Sequence, residues 1–497
     1  MVNFWENPEL IRHVRMEMRP RRMILAATVS VALCLMAWIL SAQMNNLNGH
    51  SNDKEYLQVI FSLLAGGQAA ILILWSFSSC SQAISNERTM KTFDFLRTTR
   101  LTSAELLTGM LFGVPVMAYF VTTLTYGISA LAGLMGGFPL EAILATYFFL
   151  IVVTVVFSLA GLTISMMVAK PRAGIGVMFA FVWAFSILGS MAPQGVFPAL
   201  QSLLVVPALM PLFGNADVMI PRYVSFFGAD VPQWMVTLVL YGSFGAWLIV
   251  MLLRNLKRER EDIKLLSRWQ GIGFAVYMNL LAFGMLDIHK LLEECVYAKD
   301  AALEAANLAT GGFVVLNFFI FYAVGLTTLS TPERLKHWWR ERSNLASYFS
   351  DDGPSWPWVV LVAAIALALF AFESSMSPGI PNGKWTWPVW EIVVLLTFAV
   401  RDVMFIQWCT LTRMKDAVGK AVAFILLYYF AVVTVLAMFQ KSEKIWQRGL
   451  AILTPVWAFF GEHRDASLAG AVIQVAITVA LGYLIHQRFA KKIVLRA

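Results

Sequence analysis

Residues 23–42 run for a full bilayer thickness without one charged side chain, and stretches of this kind recur along the chain. The hydrocarbon core of a membrane takes about 20 apolar residues per helix, because lipid offers no partner for an unpaired backbone group. Twelve stretches suit that demand: 23–42, 57–83, 108–134, 140–168, 173–192, 233–253, 270–286, 308–330, 357–373, 387–410, 420–439 and 467–487. Two more, 200–213 and 450–460, are too short to cross and read as re-entrant or interfacial pieces. Composition agrees: only 14% of the 497 residues are charged and 59% are hydrophobic, against about 25% charged in soluble proteins. Soluble cores cannot hide that much apolar surface. A secreted domain, a cytosolic enzyme and a disordered chain are excluded. The expected fold class is all-α: a polytopic transmembrane bundle of about 12 spans. The expected organisation is an amphipathic interfacial helix (1–22), a six-span module (23–253), a basic linker (254–269) and a second module of about six spans (270–497).

Charge orients the spans. With the N-terminus inside, 28 of the 38 Lys and Arg fall in cytoplasmic pieces and nine outside, with Arg401 inside a span. The positive-inside rule then places both termini in the cytoplasm. The first run follows a basic stretch, as a signal peptide would, but exceeds the roughly 7–15 residues of a signal core and is expected to be retained. The four cysteines show no paired spacing, and the six histidines no metal or nucleophile arrangement. No Gly-x-x-x-x-Gly-Lys-Ser/Thr loop is present, since Gly383-Lys384 and Gly419-Lys420 lack the flanking residues. ATP hydrolysis is therefore not expected in this chain. Leu64-Ala-Gly-Gly-Gln68 and Gly109-Met-Leu-Phe-Gly113 read as helix-packing sequences.

Two cytoplasmic elements carry more information. Asn7 and Pro8 suit the N-cap and first position of a short helix. In it Leu10, Ile11, Val14 and Met18 share a face, while Arg12, Arg15 and Arg19 point elsewhere and Pro20 ends it. Such a basic amphipathic helix lies in the headgroup layer. The second element, residues 85–109, mixes both charge signs with Phe93, Phe95, Leu96 and Leu101, and Thr102-Ser-Ala-Glu105 is a capping box. It reads as a helix–turn–helix with apolar residues available to a partner; a solvated, well-capped loop is the plainer reading.

Glu87-Arg88, Thr92-Phe-Asp-Phe-Leu96 and Leu101-Thr-Ser-Ala-Glu105-Leu with Gly109 resemble the coupling segment of type-two ATP-binding-cassette exporter permeases. The Asn7-Pro8 helix and the six spans to about 253 resemble the same family's layout. Lys91, Arg100 and Met110 depart from it, standing where Gly, Pro and a basic residue are usual. The resemblance implies a membrane subunit of the bacterial inner membrane, paired with a second permease chain and with two ATPase subunits that hold ATP and Mg. It implies an ATPase-coupling interface formed by Glu87, Arg88, Thr92, Phe93, Asp94, Phe95, Leu96, Leu101 and Glu105. Charges there would set register while Phe93, Phe95 and Leu96 fill a partner's groove.

The second half matches less of that pattern. The cytoplasmic helix Thr331–Arg342 places Trp338 and Trp339 at the membrane surface or against a partner. Arg401 and Asp402 lie inside a span, where a charge costs at least about 2.5–3.5 kcal/mol. As adjacent residues they are expected to point apart, each needing another partner or reaching out of the span. Glu391 is expected to be solvated near the outer end. The leading functional expectation is an ATP-driven exporter subunit. An ion-coupled secondary transporter and a non-transporting scaffold or assembly subunit are the alternatives.

Overall fold

The computed structural model describes residues 4–48, 53–167, 223–227, 229–258, 265–286, 300–341, 345–350, 352–376, 389–412, 417–437, 448–450, 452–455 and 464–494. These residues are about 87% helical, which makes the protein all-α. Seven helices among them are long and apolar enough to cross a membrane, as a membrane-embedded chain requires. The span expected at 173–192 and the stretch 200–213 lie outside the described residues. The chain divides into two compact units: residues 1–224 with 230–263, and residues 225–229 with 264–497.

The first unit opens with α1 (Pro8–Glu17) and α2 (Pro20–Asn48). Pro20 therefore begins a helix as well as following one; at a first position its missing N–H costs nothing. Next come α3 (Asp53–Ala70), a π-turn (Ile71–Trp75) and α4 (Ser76–Thr89), which together carry the apolar run Tyr56–Thr89. Beyond α4 lie α5 (Phe93–Thr98), α6 (Ser103–Gly113), α7 (Val116–Met135), α8 (Leu140–Met167) and α9 (Gln233–Asn255). The span expected at 108–134 is broken between α6 and α7, because Pro115 has no N–H and its ring crowds the preceding turn. Two four-residue strands, Tyr223–Phe226 and Ala229–Pro232, pair in a two-stranded sheet that precedes α9 in the sequence, residues 225–229 being counted with the second unit.

Helices α4 and α8 pack along their length through small residues. A Cβ on Gly161 would lie 2.8 Å from the Phe77 carbonyl oxygen and 2.9 Å from the Cys80 Cβ. Only Gly lets the two backbones approach so closely, the usual device where lipid gives helices no hydrophobic reason to associate. Buried Gln68 donates to Thr125 Oγ1 (2.9 Å) and Ser129 Oγ (3.0 Å), tying α3 to α7. The packing sequence at 64–68 thus works through Gln68. Gly66 and Gly67 face open space.

The second unit holds α10 (Arg268–Leu286), α11 (Asp300–Thr327), α12 (Pro332–Glu341), α13 (Trp356–Met376), α14 (Val389–Thr410), α15 (Ala417–Ala437) and α16 (Arg464–Val494). Helix α14 is its hub and packs on α11, α13, α15 and α16. Two expectations are corrected here. Arg268, assigned to a basic linker, is buried and donates to the Ser350 carbonyl (2.6 Å), the Ser330 hydroxyl (2.8 Å) and the Gly353 carbonyl. Trp338, expected at the membrane surface or against a partner, is buried among Leu335, Leu411 and Tyr348 and donates to the Ser347 carbonyl (2.7 Å). Helix α12 leaves the 311–327 stretch at 83°.

Candidate functional site

Two polar centres stand out, one in each unit. The first is built on α1. Asn7 caps it as its sequence demands: the side-chain oxygen accepts from the Glu9 and Leu10 N–H groups (3.0 and 3.4 Å). The amide nitrogen of the same side chain crosses to α6 and donates to the Glu105 carbonyl (2.7 Å) and the Thr108 hydroxyl (3.2 Å). Helix α1 therefore sits on α6. Gly109 and Gly113 make the seat, since a Cβ there would meet the Cβ of Glu9 at 2.6 Å and of His13 at 2.8 Å. The buried face of α1 is Glu9, Leu10 and His13, with Val14 half-buried and Arg15 and Arg19 exposed. The apolar stripe expected to float in headgroups is only partly used, and a polar face docks instead.

Glu9, only 2% exposed, is held by three contacts. Arg12 grips both its oxygens (2.6 and 3.1 Å) and His13 Nε2 lies 3.0 Å away. Burial alone would raise its pKa; the hydrogen bonds from His13 and Arg12 outweigh that and hold it below the ordinary carboxylate value. Arg12 has a third contact, donating at 2.8 Å to Glu87 at the end of α4. Burial works against the Arg12 cation, and its bonds to Glu9 and Glu87 reverse the balance and raise its pKa.

Glu87 is thus engaged within the chain, and the Thr92 hydroxyl closes on its other oxygen. Its neighbour Arg88 donates to the Met166 carbonyl at the end of α8 (2.7 Å) and lies 4.9 Å from the centre of the Phe93 ring. The turn between α4 and α5 is fixed from both sides. Helix α5 follows on it, and α6 starts with the expected capping box between Thr102 and Glu105. The apolar trio expected to enter a partner divides here. Phe93 and Leu96 are 4% and 6% exposed and pack inward, so they are not presented outward. Phe95 is 73% exposed; its neighbour Asp94 and, five residues earlier, Met90 (75%) are exposed as well, while Leu101 is half-buried. Sequence reasoning missed Glu9 and His13, although their i, i+4 spacing within a capped helix signals a pair.

The second centre is in the unit built around α14. Arg401 and Asp402 do not point apart. The long arginine folds back, and its Nε and terminal nitrogen reach Asp402 Oδ1 at 2.7 and 2.6 Å. Both are buried. Gln474 accepts from Arg401 (2.5 Å), and Tyr429 bridges the pair by accepting from Arg401 (3.0 Å) and donating to Asp402 Oδ2 (2.8 Å). Tyr322 donates to the same Oδ2. The rings of Phe398, Tyr428 and Tyr429 lie within 5.7 Å of the guanidinium carbon. Four helices, α11, α14, α15 and α16, supply these groups. The sequence flagged the two charges but not Tyr322, Tyr429 and Gln474, which come from far along the chain. Glu391, expected to be solvated, is buried in the same helix.

Among the described residues no group of three or more His, Cys, Asp or Glu is placed to hold a metal ion. Neither a family model, nor a curated protein, nor a solved structure matches the chain.

Proposed function

We propose that the chain is the membrane-spanning subunit of an ATP-driven exporter, moving its cargo across a bacterial inner membrane with hydrolysis on a separate ATPase. In this reading about twelve spans cross the membrane and both termini are cytoplasmic. A second permease copy or chain and two ATPase subunits complete the assembly. One observation carries the reading: α5 is a short helix braced through Glu87 by α1 and through Arg88 by α8, and it turns Phe95 outward. A motor can drive a membrane protein only through a contact whose energy differs between states. A braced element with one exposed aromatic anchor suits that contact.

The test is co-expression with candidate ATPases, followed by co-purification and ATPase assays. Phe95→Ala should abolish capture or stimulation of the ATPase and change the unfolding midpoint little, since exposed positions contribute within about 0.5 kcal/mol. Phe93→Ala should cost about 3–5 kcal/mol of stability, because its ring is buried. Full-speed cargo movement with no ATPase present would sink the proposal.

A second reading, an ion-coupled secondary transporter, is favoured by the buried Arg401–Asp402 pair and its tyrosines, since intramembrane charges commonly mark ion paths. It predicts cargo uptake driven by an ion gradient alone and lost in Asp402→Asn.

A further inference from the structure

A cleft of about 190 Å³ in the first unit is lined by Arg88, Lys91, Phe93, Asp94, Arg97 and Arg258. That space equals roughly six water molecules at about 30 Å³ each, enough for a phosphate group and a few waters. Four of its lining side chains are cations and one is a carboxylate. Asp94 lies 3.9 Å from Arg97, at the limit of an ion pair, and is mostly exposed. Among the described residues neither Lys91 nor Arg258 lies within ion-pair distance of a carboxylate. Helix C-termini attract cations, and α4 and α9 both end beside this cleft. Each supplies only about half a negative charge, so together they offset about one of the three excess positive charges.

Lys91 adds a second, independent observation. Its φ is 59°, in the left-handed region. That conformation costs a residue with a Cβ about 1–2 kcal/mol, and Gly adopts it freely. Lys91 occupies the left-handed position that closes α4, its N–H donating to the Arg88 carbonyl (3.1 Å) and the next N–H to the Glu87 carbonyl (3.0 Å), so this helix stop, where glycine is usual, carries a cation at the mouth of the cleft.

We propose that this cleft binds a phosphate-bearing anion, with Lys91 and Arg258 as its principal cations and Arg97 and Arg88 at its wall. Arg88 stands in the last turn of the apolar run Tyr56–Thr89 and Arg258 three residues past the apolar helix Gln233–Asn255, where spanning helices would bring both near phospholipid phosphates. A lipid headgroup and a soluble phosphate share the recognising chemistry. The proposal does not depend on an ATPase partner.

The full-length protein, in a neutral detergent, is titrated with phosphatidylglycerol mixed micelles, with phosphatidylcholine micelles as control, and separately with inorganic phosphate. The wild type should bind at least one anionic probe. Lys91→Gly and Arg258→Gln should each weaken it by about tenfold, the scale of one charge-assisted hydrogen bond. Lys336→Gln/Arg340→Gln, which removes two positive charges from α12, as many as the Lys91→Gly/Arg258→Gln double variant removes from the cleft, should change it less than about twofold. Lys91→Gly relieves the backbone, so its unfolding temperature should not fall, and lost binding cannot then be assigned to misfolding. Loss confined to phosphatidylglycerol identifies a headgroup site; loss for inorganic phosphate as well identifies a site for soluble phosphates. Undiminished binding in the Lys91→Gly/Arg258→Gln double variant, or no anion binding by the wild type, overturns the proposal.

Discussion

A carboxylate as enclosed as Glu9 stays ionised only because Arg12 and His13 meet it directly. Its pKa is lower folded than unfolded, so its contribution to stability is complete above the ordinary value of 4.5 and is lost as pH falls through the lowered value. Glu9→Gln should therefore cost about 1–3 kcal/mol near neutral pH. Thermal unfolding of wild type and variant should converge as pH drops below 4.5. A gap that stays constant with pH would show that the charge of Glu9 is not what stabilises α1. Reading such residues from the chain works where the signal is local. Asn7, Pro8, Thr102 and Glu105 announce their caps within three positions. Arg12 and Glu87 are 75 positions apart, and no periodicity links them. Phe93 and Phe95 are equally apolar on a six-residue helix, and only the fold decides which one faces in.

At the scale of elements, helices meet here through glycine or through buried polar groups, and each mode predicts its own failure. Gly109→Val would drive a side chain into Glu9 and lift α1 from α6, at about 1–3 kcal/mol as in other overpacked contacts. Limited trypsin digestion should then cut at Arg12, which the native contact shields. In the second unit, Arg401→Ala would leave Asp402 buried with tyrosines alone, and Asp402→Ala would strand Arg401. Each should cost about 3–5 kcal/mol, whereas Arg401→Met/Asp402→Leu, which removes both charges, should come close to wild-type stability. Seven long apolar helices were plain from hydrophobic runs, whereas the break before α7 was not. Pro115 marks that break in the sequence, but an unbroken apolar run masked it. The mutual pairing of Arg401 and Asp402 was illegible for a different reason. Helical geometry separates adjacent Cβ atoms, yet an arginine is long enough to bend back across that separation.

On the scale of the whole molecule, the alternation of spans fixes which ends share a membrane face. Met90 and Met135, both exposed, stand before and after the α6–α7 pair. In a background with the native cysteines replaced, Met90→Cys and Met135→Cys should react with an impermeant thiol reagent from opposite sides of the membrane. Labelling from one side only would mean that α7 does not cross. The seating of α1 on Gly109 and Gly113 also bears on how the chain is made. Asn7 finds its acceptors 98 and 101 positions later. At roughly 5–20 residues per second, a ribosome delivers that seat roughly 5–20 seconds after the helix. The apolar helix α2 and the apolar run Tyr56–Thr89 are made in the interval, while Glu9 waits without its seat. A nascent chain stalled short of residue 109 would therefore expose its N-terminal helix to proteases, making protection of that helix a marker that α6 has been made and docked.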